Sequence, residues 1–325
     1  MRELPLKFPP IETYQGSAFL MGVFLANPNY ENIQYNGYID VIYEKNAPNL
    51  TWLSPRFTNS MWDDYRLEGL GEMNLYDICN FTRASLVDFM HERIDQDCYL
   101  LLYDVDEYYL SNGEKYQKEH INHDTYIYGY TDEDFLVLAY TGEHLERIII
   151  PNQEIVDALF SEEARKNDDG RRHFSTFRPI LNKRIDIDTD LILKGIRGFY
   201  EPRNVDNQDN SLVTVSGIGV YDEIMRCLEN MREGECMDLR AMRVIWEQKK
   251  LMVNRIKKVF PEISDKCVAS MQYISDRVRL IFKLMMKYNL SNKRYTVERI
   301  CSMIKEVRDE DLRWYQTYFK EESLV

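Results

Sequence analysis

The chain has 325 residues, 44% of them hydrophobic and 13% aromatic, with 54 acidic against 41 basic side chains and a formal net charge of −13. That length and apolar content suit one large or two ordinary packed domains and exclude a wholly disordered chain. The acidity argues against broad nucleic-acid binding and against docking on anionic membranes, since both need a basic surface. The longest apolar run, Ala18 to Ala26, falls short of the roughly 18 uncharged residues a membrane span needs. The opening Met1-Arg2-Glu3-Leu4-Pro5 has no apolar h-region of a secretory signal, so a cytoplasmic protein is expected.

In chain order, Ser17 to Leu25 reads as a short buried helix closed by Asn27-Pro28. Tyr38 to Tyr43 and Leu50 to Leu53 read as strands around the turn signal Asn46-Ala47-Pro48-Asn49. Leu75, Ile78, Cys79, Leu86, Phe89 and Met90 recur at helical spacing, predicting an amphipathic helix that ends near Asp95 and carries Cys79 into the core. Three strands follow, Tyr99 to Val105, Thr125 to Tyr130 and Phe135 to Ala139, with a polar connector from Ser111 to Asn122. Past Ile150 come a helix from Gln153 to Lys166, ended by Asn167-Asp168-Asp169-Gly170, a strand from His173 to Ile180 and a helix from Asp188 to Tyr200. A polar loop, Asn204 to Ser211, then leads to nearly continuous helix from Gly219 to Glu322, with breaks near Gly234, Pro261, Asn292 and Asp309. The expected class is α+β, with one domain over residues 1–150 and a mainly helical domain over 151–325.

The six cysteines show no CxxC and no paired spacing, which points to reduced, mostly buried thiols rather than a zinc ribbon or a disulfide framework. His120-x-x-His123 beside Asp104, Asp106 and Asp124 invites a metal reading. The two histidines lie in a loop leading into a strand rather than on one helical face, so no metal site and no cofactor are expected. Period-two alternation puts Asp104 and Asp106 on one face of their strand, with Tyr103 and Val105 on the other. Both acids then stand near His123, where one of them could orient its imidazole.

The run Asn122-His123-Asp124 opening a strand that ends in Gly129-Tyr130 resembles the papain-like family of bacteriocin-processing cysteine peptidases. More closely, the chain is similar to proteins related to the N-terminal domain of the butirosin biosynthesis acyltransferase, found in bacterial peptide natural-product gene clusters. The likeness rests on Leu100 to Leu110, Lys115-Tyr116, His120-x-x-His123-Asp124 and Ile127-Tyr128-Gly129-Tyr130. In the second half it rests on Gly217 to Tyr221, Met237 to Arg240 and Trp246 to Met252. The resemblance implies a papain-like first domain and acyl-transfer chemistry.

In that fold a cysteine opens the first helix, where backbone N–H groups and the helix dipole favour its thiolate. A histidine on the sheet takes the proton, and an Asn or Asp on the next strand orients the histidine. Here the matching helix start is Thr13-Tyr14-Gln15-Gly16-Ser17, without a cysteine, and the next strand ends in Ala139-Tyr140-Thr141, without Asn or Asp. The candidate catalytic set is therefore His123 as base, Ser17 as nucleophile or plain helix N-cap, Gln15 as oxyanion donor or solvated side chain, and Asp106 or Asp104 as orienting acid. Tyr140 and His120 are the candidate substrate contacts.

The resemblance implies an acyl or peptidyl transferase of nonribosomal peptide or related biosynthesis, acting on a carrier-protein thioester. The partner would be an acyl or peptidyl carrier protein with its phosphopantetheine-bound substrate, met on a basic, aromatic face formed by Arg240, Arg243, Trp246, Lys249 and Lys250, or else that helix packs by Trp246 with its charges solvated. Attack by the incoming amine itself would need no enzyme nucleophile. The alternative is a catalytically inactive papain-fold binding or scaffold protein. Oligomeric state is not legible in the sequence.

Overall fold

The computed structural model describes residues 1–44, 49–53, 69–141, 144–162, 172–180, 184–201, 214–232, 234–291 and 295–320; of residues 44, 49–53, 141, 144, 214 and 295 it describes the backbone. The chain forms two compact units, Met1–Glu31 with Met61–Ile185, and Asn32–Ser60 with Asp186–Val325. The division is thus discontinuous. The break expected at Ile150 falls inside a strand of the first unit, and residues 32–60 belong with the second.

In chain order the elements are β1 (Arg2–Glu3), α1 (Gln15–Leu25), α2 (Ile33–Asn36), β2 (Asp40–Glu44), β3 (Asn49–Leu53), β4 (Gly71–Asp77), α3 (Arg83–Asp95) and β5 (Tyr99–Asp106). They continue as β6 (Asn122–Tyr130), β7 (Asp134–Thr141), β8 (His144–Pro151), α4 (Asn152–Leu159), β9 (His173–Pro179) and α5 (Thr189–Tyr200). The last are β10 (Thr214–Ser216), α6 (Val220–Glu229), α7 (Arg240–Val259), α8 (Asp265–Ser291) and α9 (Tyr295–Tyr318). The architecture is α+β.

In the first unit an antiparallel sheet runs β4-β9-β5-β6-β7-β8, and β1 pairs with the far end of β6. α1 is apolar nearly all round and buried from Ser17 to Leu25, as a helix without a polar face must be. Phe19 of α1 stacks on Tyr126 of β6 at 5.0 Å and meets Tyr99 of β5 edge-on, while Phe24 meets Phe177 of β9. The segment before the helix runs against it so closely that a Cβ on Gly22 would stand 2.6 Å from the Lys7 carbonyl.

The opposite face of the sheet is covered by α3. Phe89 packs on Phe174 of β9, which stacks on Tyr76 of β4, and His91 stacks on Tyr130 of β6 at 3.9 Å. A capping box between Thr82 and Ser85 starts α3. The helical periodicity read from Leu75 onward therefore holds only from Arg83. Leu75 lies in β4, and Cys79 sits exposed in the turn after it, its N–H bonded to Asp77, rather than in the core. Strand pairing with β9 overrides the local pattern there, because the partner strand lies about a hundred residues away.

In the second unit β2 pairs antiparallel with β3 and β10, and helices α5 to α9 supply most of the remaining structure. Asp188 caps α5 through the Leu191 N–H. The break expected near Asp309 does not occur, since α9 runs unbroken through it. The breaks near Gly234 and Pro261 fall between helices. The turn expected at Asn46 to Pro48, the helix end at Asn167 to Gly170, the loop at Asn204 to Ser211 and the break at Asn292 lie outside the described residues.

Inside this unit Lys249 and Asp311 form an ion pair with both side chains fully buried. Asp311 also accepts from Tyr200 at 2.5 Å and Tyr221 at 3.2 Å, and the Lys249 ammonium stands 4.0 Å from the centre of the Phe199 ring. Burial pushes the Lys249 ammonium below its ordinary range, against the pull of Asp311. Nearby on α7, Arg240 pairs with Asp238 and Arg243 with Glu247, while Trp246 stacks on Phe282. The face that the sequence suggested as a basic groove is therefore largely spent on internal pairs, with Lys249 in the core. Arg255, also buried, donates to the carbonyls of Tyr35, Gln34 and Gly37 around the end of α2.

Removing one partner of a buried pair leaves the other charge uncompensated. Lys249→Ala should lower unfolding free energy by about 3–5 kcal/mol, read from the midpoint of a urea titration at unchanged slope. Asp40 on β2 is buried with its carboxyl pushed up to about 7 by desolvation, opposed by the Val41 N–H. A carboxyl raised on folding stabilises fully below its unfolded pKa and loses that contribution as pH climbs through the folded value. Asp40→Asn should therefore gain stability relative to the parent between about pH 4 and pH 7 and hold a constant advantage above; parallel melts across that range test it.

Candidate functional site

The site is built by an irregularity in β5. Leu102 pairs with Thr125 of β6, but the next pair is Val105 with His123, so β5 carries one residue more than its partner. Asp104 takes the positive φ of 50° that the bulge demands, and its N–H donates to Asp124 Oδ1 at 3.2 Å. The alternation read across Tyr103 and Asp104 is interrupted here, because the irregularity lies between Leu102 and Val105, while Val105 and Asp106 pair regularly with His123 and Asn122. β5 ends at Asp106, which caps a short 3-10 turn, Glu107–Tyr109, through the Tyr108 N–H at 3.1 Å.

Two consecutive carboxylates then take two histidines. Asp106, with no exposed surface, accepts from Ser161 Oγ at 2.7 Å and contacts His120 Nδ1 at 2.8 Å through the same oxygen. Tyr108 stacks on the His120 ring at 4.2 Å. Glu107 contacts His123 Nδ1 at 2.6 Å. Each carboxylate holds Nδ1 and so favours the tautomer that leaves Nε2 as the acceptor, the arrangement a general base requires.

The two dyads differ in exposure: the His123 side chain is 64% exposed and that of His120 39%. The hydrogen bond to Glu107 holds the His123 imidazole above its usual value, against partial desolvation. The expected orienting role of Asp106 toward His123 is thus not what the contacts show. Asp106 serves His120, and Glu107 serves His123.

Ser17 and Gln15 are elsewhere. Along β6, Thr125 and His123 share one face and Tyr126 and Asp124 the other. Phe19 of α1 stacks on Tyr126, whereas Phe174, next to Leu102 and hence on the Thr125 face, packs against α3. α1 and His123 therefore lie on opposite faces of the sheet, and the fold does not bring Ser17 to His123. Ser17 is the third residue of α1, buried, and not its N-cap, which is Tyr14. Gln15 donates its amide to the Leu138 carbonyl at 2.7 Å, tying the start of α1 to β7. Continuing the register of Tyr126 with Leu138 puts Tyr140 across from Asp124, on the α1 face and away from His123.

The buried cysteines are poor thiolate candidates. Burial raises the Cys98 thiol and pushes those of Cys267 and Cys301 to about 11, far from ionisation at neutral pH. Among the described residues no group of three or more His, Cys, Asp or Glu side chains is placed to hold a metal ion, and no helix is long and apolar enough to cross a membrane. Sequence reasoning does not single out Glu107 or Ser161. Glu107 adjoins Asp106 in the acidic stretch before the histidines, a signal that could have found it; Ser161 follows α4 with no local signal.

The His123–Glu107 contact has a direct test. A histidine raised on folding contributes stability that is complete below its unfolded pKa and is lost as pH rises through the folded value. NMR titration should place His123 above the usual 6.5, and Glu107→Gln should bring it down. An unchanged titration would remove Glu107 from the site. No family model and no curated protein matches this chain.

Proposed function

We propose that the chain is an acyl or peptidyl transferase that moves an acyl group from a carrier-bound thioester to an amine, without a covalent acyl-enzyme. The observation that carries the reading is His123 at the opening of β6, its Nδ1 held by Glu107 and its side chain 64% exposed. The finer architecture, a papain-like first domain, and the carrier-protein partner belong to this reading and rest on the sequence resemblance. Support for a non-covalent route comes from Ser17, which lies across the sheet from the imidazole.

The chemistry is modest for a base of this kind. A thioester is already activated, so the amine nitrogen attacks its carbonyl carbon, His123 Nε2 takes the proton the nitrogen sheds, and the carbon–sulfur bond breaks to release the thiolate. The proton then passes from the imidazolium to thiolate or solvent, closing the cycle. Because Glu107 raises the imidazole, the base form appears at higher pH than in a free histidine, and turnover should climb as pH rises through that titration.

A second reading, an inactive binding or scaffold protein, draws support from the exposure of His123 and from the separation of Ser17. Incubating the protein with a carrier loaded with an aminoacyl thioester and a panel of amines, followed by intact mass, separates the two. Transfer predicts amide product with no mass gain on the protein, unchanged turnover in Ser17→Ala, and a loss of about 10²–10⁴-fold in His123→Ala. A carrier that stays loaded with every amine leaves the binding reading. An acyl adduct abolished by Ser17→Ala would overturn the non-covalent route.

A further inference from the structure

A cavity of about 300 Å³ lies along α5 in the second unit, lined among the described residues by Asp190, Leu193, Lys194 and Arg197. These positions follow the i, i+3, i+4, i+7 stripe of one helical face. The size falls at the lower end of small-ligand pockets. Arg197 and Leu193 are half-buried, and Lys194 and Asp190 are exposed. Neither the Lys194 ammonium nor the Arg197 guanidinium makes an ion pair or hydrogen bond among the described residues, although Asp190 sits one turn from Lys194.

Long helical side chains lean toward the N-terminus of their helix, so the two cationic heads reach back over the stretch that holds Leu193 and Asp190. We propose that this cavity binds a small molecule bearing an oxyanion, a phosphate monoester or a carboxylate, with an apolar group against Leu193. Arg197 supplies a planar fork for two oxygens and Lys194 a point charge. A half-buried guanidinium without a counter-charge among the described residues, facing a cavity, is the feature that an anion would complete. Asp190 is the local opponent: its carboxylate repels an oxyanion and keeps affinity moderate. The inference is independent of the chemistry assigned to His123.

The test is titration of the full chain at low salt with inorganic phosphate, phenyl phosphate and benzoate, followed by backbone amide shifts of α5. Saturable shifts at Leu193 and Lys194 are expected, with phenyl phosphate tighter than inorganic phosphate. Comparing phenyl phosphate with benzoate decides between a phosphate and a carboxylate as the recognised group. Lys194→Ala combined with Arg197→Gln should weaken binding by roughly tenfold or more, and Asp190→Asn should tighten it by about two- to fivefold. Single Lys194→Ala, at an exposed position, serves if the double variant fails to fold. Absence of saturable shifts with all three probes, or affinities unchanged by the charge-removing variants, would overturn the proposal.

Discussion

The extra residue in β5 is the constraint on which the candidate site depends. Without it, Asp104 would face His123 and Val105 would face Asn122, and the side chains beyond would exchange faces. With it, Val105 packs in the core, Asp106 turns into a fully buried pocket and Glu107 emerges one residue later within reach of His123. The bulge has a cost, since a non-glycine residue held at positive φ is worth about 1–2 kcal/mol of strain. Asp104 lessens it by being one of the side chains most tolerant of that region, and Asp124 accepts the N–H that the broken ladder releases.

That geometry divides the labour between adjacent acids. Asp106 lies in a desolvated pocket and survives there because several donors converge on it: a hydroxyl, a backbone N–H and an imidazole. A carboxylate so committed holds its histidine rigidly. Glu107 remains partly exposed, its contact with His123 is more open to water, and screening by solvent and salt weakens it accordingly. The site therefore combines one fixed imidazole and one accessible imidazole within a few residues of chain.

Much of this fold is legible from local pattern. The β6–β7 hairpin, the apolar α1, the β2–β3 pair and the capped α5 follow from periodicity and turn chemistry over short windows. The elements that local pattern misses depend on distant partners. β4 reads as the first turns of α3 because its partner β9 is remote, and β8 goes unread because its Ile148-Ile149-Ile150 run lies where a domain break is expected. His123 is legible by its place before an alternating strand, but local spacing puts its acidic partner one residue early. Periodicity carries no trace of a bulge, and that one missing residue separates Asp106 from Glu107.

The same limit governs the helical unit. Arg240, Arg243, Trp246, Lys249 and Lys250 recur at a spacing that reads as one cationic face, because sequence spacing reports direction around a helix and not what lies opposite. Opposite Lys249 lie Asp311, Tyr200 and Tyr221, from elements far along the chain, and their convergence turns a surface cation into a core one. Burying such a pair recovers little free energy beyond what an apolar pair would give. Its requirement is geometric: α5, α6, α7 and α9 must meet in one arrangement for every polar atom of the cluster to find its partner. The unit is thereby specified by a polar network within an otherwise interchangeable set of apolar helix faces, and Lys249, one of the cations read as a docking surface, is consumed in holding it together.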